Sequence, residues 1–192
     1  MKNRILQEAT KEILHRGLKF SVRDLASRLG ISTKTLYQHF PSKERIIASI
    51  VEQAVNQMKD REKELMNDSS LPLKQKLYEA LVIIPQGFVF SDIRVMKELQ
   101  MAYPDQWAIM NDYLTKGWDN IRLLILEGTE KGDIRDFDVE TFIRVYIGAM
   151  YQLMDHSVAS PSGLRMEDSL SLVVDLLLRG IYADPSVKEG SR

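Results

Sequence analysis

Ser21-Val22-Arg23-Asp24-Leu25-Ala26-Ser27-Arg28-Leu29-Gly30-Ile31-Ser32-Thr33-Lys34-Thr35-Leu36-Tyr37-Gln38-His39-Phe40-Pro41-Ser42-Lys43 reads as two short helices joined by a glycine-centred turn. Val22, Leu25, Ala26 and Leu29 recur at i, i+3, i+4 and i+7, one face of a helix. Ser21 stands at the cap position of that helix, and Asp24 completes a capping box. Gly30 ends it, because a left-handed residue after the last turn is cheapest for glycine. Ser32 is placed to cap the next helix, and Ile31 before it can staple onto Leu36. On the second helix only Leu36 and Phe40 are clearly apolar, so they dock it while Thr33, Lys34, Thr35, Gln38 and His39 are left facing outward. A helix that reads base edges needs that division of labour.

Charge points the same way. Residues 1–50 hold ten Lys and Arg against four Asp and Glu, whereas the remainder holds sixteen against twenty-three. The formal net charge of −1 therefore hides a dipolar chain whose N-terminal part suits phosphate. By itself a basic stretch reads equally well as a solvated face. Lys43 is sharper, since it falls in the first turn after the cap Ser42, where the helix dipole disfavours a cation and a nearby phosphate would offset the cost. Tyr37 reads as a core packing residue, although a tyrosine can pack its ring and still offer its hydroxyl.

The rest of the chain is helical in pattern. Ile5, Leu6, Ala9, Ile13 and Leu14 predict a first helix that supports the motif. Ile46, Ile47, Ile50, Val51, Ala54, Val55 and Met58 predict a helix from Ser42 to about Asn67, roughly 37 Å long at 1.5 Å per residue. Further helices are predicted over about 73–88, 92–103, 105–131, 138–156 and 166–182, with Pro85 and Gly87 ending or kinking the first and a loop over Ser157–Gly163. The residues after Asp184 read as a frayed end.

At 192 residues and 44% hydrophobic content, the chain accommodates a small binding module and one larger domain. It has no cysteine, which excludes disulfides, cysteine-zinc sites and thiol catalysis. The N-terminus lacks the apolar run of a signal peptide and no stretch reaches the length of a membrane span, so a soluble, cytoplasmic protein with no membrane partner is expected. His15, His39 and His156 lie in separate helices, and no HExxH, paired-carboxylate, phosphate-loop or GxSxG pattern is present. Asp133, Asp136 and Asp138 lack the glycine and terminal glutamate of an EF-hand loop and read as turn and cap residues. No enzyme, metal site or cofactor is expected.

Two helices are too apolar for ordinary surface elements. Phe142, Val145, Tyr146, Ala149, Met150 and Leu153 form one stripe. Leu170, Val173, Val174, Leu177, Leu178 and Ile181 form another, with Leu172 and Leu176 spilling over its edge. Either these fill the core of one chain or they also cover a second copy. Between them and the N-terminal motif, Met96, Met101, Tyr103, Trp107, Met110, Tyr113, Trp118, Tyr146, Met150 and Met154 make an inventory suited to an adaptable apolar pocket and equally to an ordinary core. Which of Arg94, Arg122, Arg144, Asp155 or His156 points inward is not legible from the sequence.

Gly17 to Lys43, with Val-Arg-Asp-Leu-Ala, Leu-Gly-Ile-Ser, Thr-Leu-Tyr-Gln-His-Phe and Pro-Ser-Lys-Glu, resembles the N-terminal DNA-binding domain of the TetR (tetracycline-repressor-like) family of bacterial regulators. The resemblance covers roughly the first 50 residues. It implies an all-α chain with a three-helix helix-turn-helix domain over residues 1–48 and a ligand-sensing, dimerising helical bundle over 49–192. It also implies that Arg23 can reach a base, that Thr33, Lys34 and Thr35 enter the major groove, and that Tyr37, His39 and Lys43 grip phosphates, with Ser32 and Gln38 completing the expected DNA-binding set. Lys34 stands where many members carry glycine, and the Gly17–Ser21 loop looks a residue short.

In the family the last two long helices pair with their copies, which here implies a homodimer through Tyr146, Met150, Leu153, Leu170, Val174, Leu177 and Ile181. Met101, Tyr103, Trp107, Met110, Trp118, Tyr146 and Met150 would line a pocket for a small-molecule inducer. The expected function is a regulator, by family habit a repressor, that leaves a palindromic double-stranded operator when the inducer binds. The alternative is a helical ligand sensor or interaction protein with only non-specific DNA binding.

Overall fold

The computed structural model describes residues 1–84, 89–154 and 166–182, and among them the fold is all-α. The helices are α1 (Lys2–Arg16), α2 (Val22–Leu29), α3 (Thr33–His39), α4 (Lys43–Asn67), α5 (Leu73–Leu81), α6 (Ile93–Ala102), α7 (Pro104–Lys116), α8 (Asp119–Glu130), α9 (Val139–Met154) and α10 (Met166–Ile181). Single 3-10 turns at Gly17–Lys19 and Val89–Ser91 precede α2 and α6. The long fourth helix ends at Asn67 as its periodicity predicts.

Two predicted helices differ. The one expected over 73–88 stops at Leu81, before the β-branched run Val82-Ile83-Ile84, whose stiff side chains are poorer helix formers than the residues they follow. The one expected over 105–131 is two helices. The chain leaves α7 after Lys116, passes the poor helix former Gly117, and restarts α8 after Trp118, whose indole is buried. The expected breaks at Pro85 and Gly87, the Ser157–Gly163 loop, Asp155, His156, the side chain of Met154 and the frayed end after Asp184 lie outside the described residues.

Two compact units divide the chain, each built from more than one segment. The first takes α1 to α3 and α4 as far as Lys59, together with α6 and α7 as far as Leu114. The second takes α4 from Asp60, then α5, α8, α9 to Leu153, and α10. In the first unit Ile5, Ala9 and Ile13 of α1, Leu25 and Ala26 of α2, Leu36 of α3, Ile46 and Ile47 of α4, and Val95, Met96 and Leu99 of α6 are buried.

In the second unit Leu77 and Leu81 of α5, Ile121, Leu124 and Ile125 of α8, Phe142, Ile143 and Tyr146 of α9, and Leu170, Val174, Leu178 and Ile181 of α10 form one apolar core. The segment after α8 closes that core from one end. Gly128 has no side chain where Ile134 packs: a Cβ there would lie 2.5 Å from the Ile134 Cδ1 atom. Arg135 then donates its backbone N–H to the Ile181 carbonyl at 2.9 Å and its guanidinium Nε–H to the Gly180 carbonyl at 2.7 Å. Two orphan carbonyls at the end of α10 are thereby satisfied. Across the unit, the Asn120 amide donates to Glu62 at 2.9 Å, fixing α8 to the far end of α4.

Candidate nucleic-acid interface

Both predicted serine caps are present around the turn. Ser21 Oγ accepts from the Asp24 N–H at 3.3 Å, and Ser32 Oγ accepts from the Thr35 N–H at 3.0 Å. Gly30 is left-handed at φ 67°, and beyond it the Ile31 N–H reaches the Ala26 carbonyl at 3.0 Å. A non-glycine side chain would be strained at that position. The turn is therefore short and rigid, with Leu25 and Ala26 of α2 and Leu36 of α3 buried on its inner side.

Burial sorts the candidate contacts on α3. Leu36 and Phe40, four residues apart, are buried, while Thr33 and Tyr37, and Lys34 and Gln38, form two exposed i, i+4 pairs on the other side. Tyr37 is 46% exposed, so it is not the core residue that its ring also allowed. Arg23 is exposed in the first turn of α2. Thr35 and His39 are half-buried, and the Thr35 hydroxyl is hydrogen-bonded to the Ser32 hydroxyl at 2.8 Å. Ser32 and Thr35 thus commit their hydroxyls to the cap, leaving Arg23, Thr33, Lys34, Tyr37 and Gln38 as the side chains presented outward.

Lys43 is half-buried, with its ammonium 4.5 Å from the centre of the Phe20 ring. Burial lowers its pKa, and the Glu44 and Glu98 carboxylates oppose that shift. Its helix is capped by Ser42, whose Oγ accepts from the Arg45 N–H at 3.3 Å. In this conformation the cation is held over an aromatic face instead of being fully extended into solvent.

Sequence reasoning passed over an acidic anchor beneath these cations. Glu12 is buried, its Oε1 lies 2.8 Å from Arg28 Nε and its Oε2 lies 3.8 Å from Arg16 Nε, while Arg16 also reaches Asp24 at 3.2 Å. The network ties α1 to α2, and removing one partner would strand a buried charge. A signal was present: Glu12 shares the face of Ile5, Ala9 and Ile13, where an acid has no place without a cation. Arg16 and Arg28 are thereby partly neutralised, which narrows the basic surface to the remaining cations.

The other candidate sites change more. Met101 is 85% exposed and lines no interior surface of its unit. Tyr103 and Trp107 are half-buried and Met110 is buried, all in the first unit. Trp118, Tyr146 and Met150 belong to the second unit, where Trp118 and Tyr146 meet edge to face at 5.1 Å and the Tyr146 hydroxyl donates to the Leu81 carbonyl. The expected pocket residues thus fall in both compact units.

Of the expected dimer contacts, Tyr146, Leu170, Val174 and Ile181 are buried in the second unit's core, and Met150, Leu153 and Leu177 are half-buried against it. The exposed apolar residues of these helices are instead Val145, Leu172 (60%) and Leu176 (73%). The reason is the helix period. Positions 170, 174, 178 and 181 turn one side of α10 inward, which leaves 172 and 176 outside.

The profile of the family described as "Bacterial regulatory proteins, tetR family" matches residues 5–50, the three helices and the start of α4 just described. Over nearly its whole length the chain is also similar to the HTH-type transcriptional regulator YvaF of Bacillus subtilis, 30% identical over 96% of this chain and 97% of that protein. The chain belongs to the TetR family. It is similar as well to the HTH-type transcriptional repressor KstR2 of Mycolicibacterium smegmatis, 31% identical over 74% of this chain and 72% of the other.

Among solved structures, the TetR family regulator PfmR of Thermus thermophilus superposes with a TM-score of 0.70 at 25% identity, over 92% of this chain and 97% of PfmR. FadR of Bacillus subtilis, solved in complex with stearoyl-CoA, shares the fold with a TM-score of 0.67 at 20% identity, over 94% and 100%. Membership of the TetR family makes the chain a DNA-binding transcriptional regulator and not an enzyme. No helix of the described residues is long and apolar enough to cross a membrane.

Proposed function

We propose that the chain is a homodimeric repressor that reads a palindromic operator with α3 and leaves it when a small apolar effector binds. The observation that carries this reading is the division of α3: Leu36 and Phe40 are buried, while Thr33, Lys34, Tyr37 and Gln38 stand exposed beside Arg23. Threonine, lysine and glutamine match base edges and phosphates, and arginine is the commonest reader of guanine. A single short helix reads few base pairs, so two copies placed about 34 Å apart, one turn of DNA, give a site of useful length. Val145, Leu172 and Leu176 supply exposed apolar surface for that second copy. The repressive sense is supported by the similarity to KstR2, a repressor by name.

Release follows from a two-state shift. An effector that binds more tightly to the form with wrongly spaced recognition helices lowers operator affinity by its differential affinity for the two forms. An effector without that difference would release nothing. The α4 helix spans both compact units and begins one cap residue after the motif, which suits it to carry the shift.

The test is a fluorescence anisotropy titration against DNA from upstream of the chain's own coding sequence, with scrambled DNA of equal length as competitor. Dimer-stoichiometric binding that scrambled DNA fails to displace is expected. Equal affinity for genome-selected and scrambled DNA would leave only non-specific binding and sink the operator reading. Stearoyl-CoA, the ligand of FadR, is a rational first effector probe alongside short-chain acyl-CoA thioesters.

A further inference from the structure

Glu98 of α6 makes a hydrogen bond across 80 residues of sequence: its Oε2 accepts the Leu18 backbone N–H at 2.6 Å. Leu18 lies in the turn that carries α1 into α2, so a carboxylate of α6 holds the entrance to the DNA-reading pair. We propose that Glu98 is a positioning residue that couples α6 to the helix-turn-helix, so that a shift of α6 is delivered to α2 and α3 through this turn. The proposal deepens the function proposed above and rests on it for its biological purpose.

Three further observations support the coupling. The turn is built to admit the carboxylate: Gly17 has φ 68° and ψ −163°, a conformation restricted to glycine, and a Cβ there would lie 2.5 Å from Glu98 Oε2. Glycine is therefore required by the backbone, and its missing Cβ leaves the room that the carboxylate occupies. The carboxylate also bears on the other end of the motif, because Glu98 favours the charged form of Lys43, the first residue of α4. The α2–α3 pair is thus suspended between the Gly17–Leu18 turn and Lys43, and Glu98 acts on both. Finally, α6 lies in the same compact unit as α1 to α3. A charge-assisted hydrogen bond to a backbone N–H is short and directional, so α6 cannot shift without either moving the turn or breaking the bond.

Coupling of this kind is reciprocal: if α6 biases the head, DNA bound to the head must steady α6. That makes the proposal testable without knowing the effector. Hydrogen exchange of the full-length protein would be followed by mass spectrometry with and without saturating duplex DNA at low salt. In the unaltered protein, DNA is expected to slow exchange in α2 and α3 by direct contact, and also in Gly17–Phe20 and α6.

Glu98→Ala should keep the protection of α2 and α3, lose that of α6, and lower DNA affinity about five- to tenfold, the lower range of measured couplings. Glu98→Gln, whose amide oxygen still accepts from Leu18, should restore both. Unchanged α6 protection in Glu98→Ala would overturn the proposal, as would faster exchange throughout α1 to α4 that glutamine fails to rescue, the mark of a merely structural role. Failure of the operator reading is distinguishable, because it would show as equal affinity for scrambled DNA while the α6 response stayed readable on either duplex.

Discussion

The helix-turn-helix and the α9–α10 pair use apolar residues in opposite ways. In the motif of residues 21–43, Leu25, Ala26, Leu36 and Phe40 are all buried within the chain, and apart from Gly30, Tyr37 and Pro41 the exposed remainder is polar. In α9 and α10, Leu170, Val174, Leu178 and Ile181 are buried as completely, yet Val145, Leu172 and Leu176 are left outside. A region with no apolar surplus is finished as a fold and presents chemistry. A region with a surplus presents surface that another protein copy can cover. The two jobs of a dimeric DNA reader are thereby separated along one chain.

The strongest way to break this contrast is to attack each core. Leu36→Ala removes a fully buried side chain that docks α3, and should destabilise the chain by about 2–5 kcal/mol with loss of DNA binding, read by thermal denaturation and anisotropy. A loss well below that range would mean that α3 is not anchored by Leu36.

The paired substitution Leu172→Glu with Leu176→Glu tests the surplus. It is expected to weaken self-association by about 2 kcal/mol or more, seen as a monomer in sedimentation velocity, while helix content by circular dichroism is kept. Val174→Glu, four residues from α10's other core positions, should instead unfold the second unit. A dimer that survives the Leu172 and Leu176 charges would place the interface elsewhere.

Arg23→Ala should cost about 1–3 kcal/mol at the operator and relax the preference at one base position, measured by binding to a single-substitution operator series. An equal loss on every sequence would reassign Arg23 to phosphate. For Lys43→Ala a loss on all sequences is expected, with the slope of log affinity against log salt reduced by about 1. Its seat over Phe20 sharpens that test, because an unchanged slope would mean that Lys43 serves the aromatic ring and the start of α4 alone. The smallest effect is expected from Ser32→Ala, which removes the α3 cap and should lower stability by about 1 kcal/mol, followed by chemical denaturation.

How much of this was legible in the sequence depended on the range of the forces involved. The caps at Ser21 and Ser32 and the left-handed Gly30 are settled within a few residues, and each was predicted from its neighbours, whereas of the set expected outward on α3 Thr33, Lys34 and Gln38 are exposed and Thr35 and His39 are half-buried. The break at Gly117 is also local, and the helix predicted over 105–131 ran through it. The pocket residues were chosen by residue type and the dimer residues by helical stripe, and neither says whether a face meets its own chain or something else. Met101 turned outward, and Leu170 and Val174 turned inward.

From the order of its residues alone, this chain is committed to helices throughout, to a rigid turn at Gly30 and to a polar helix carried on Leu36 and Phe40, because propensity, capping and period act over one or two turns. The pairing of Glu12 with Arg28, the division of α4 between two compact units, and the seat of Glu98 against Gly17 and Leu18 arise only when distant segments meet. No local rule reaches across 80 residues to a backbone N–H, since what selects that contact is the packing of α6 on the first unit and the need to satisfy a buried polar group there.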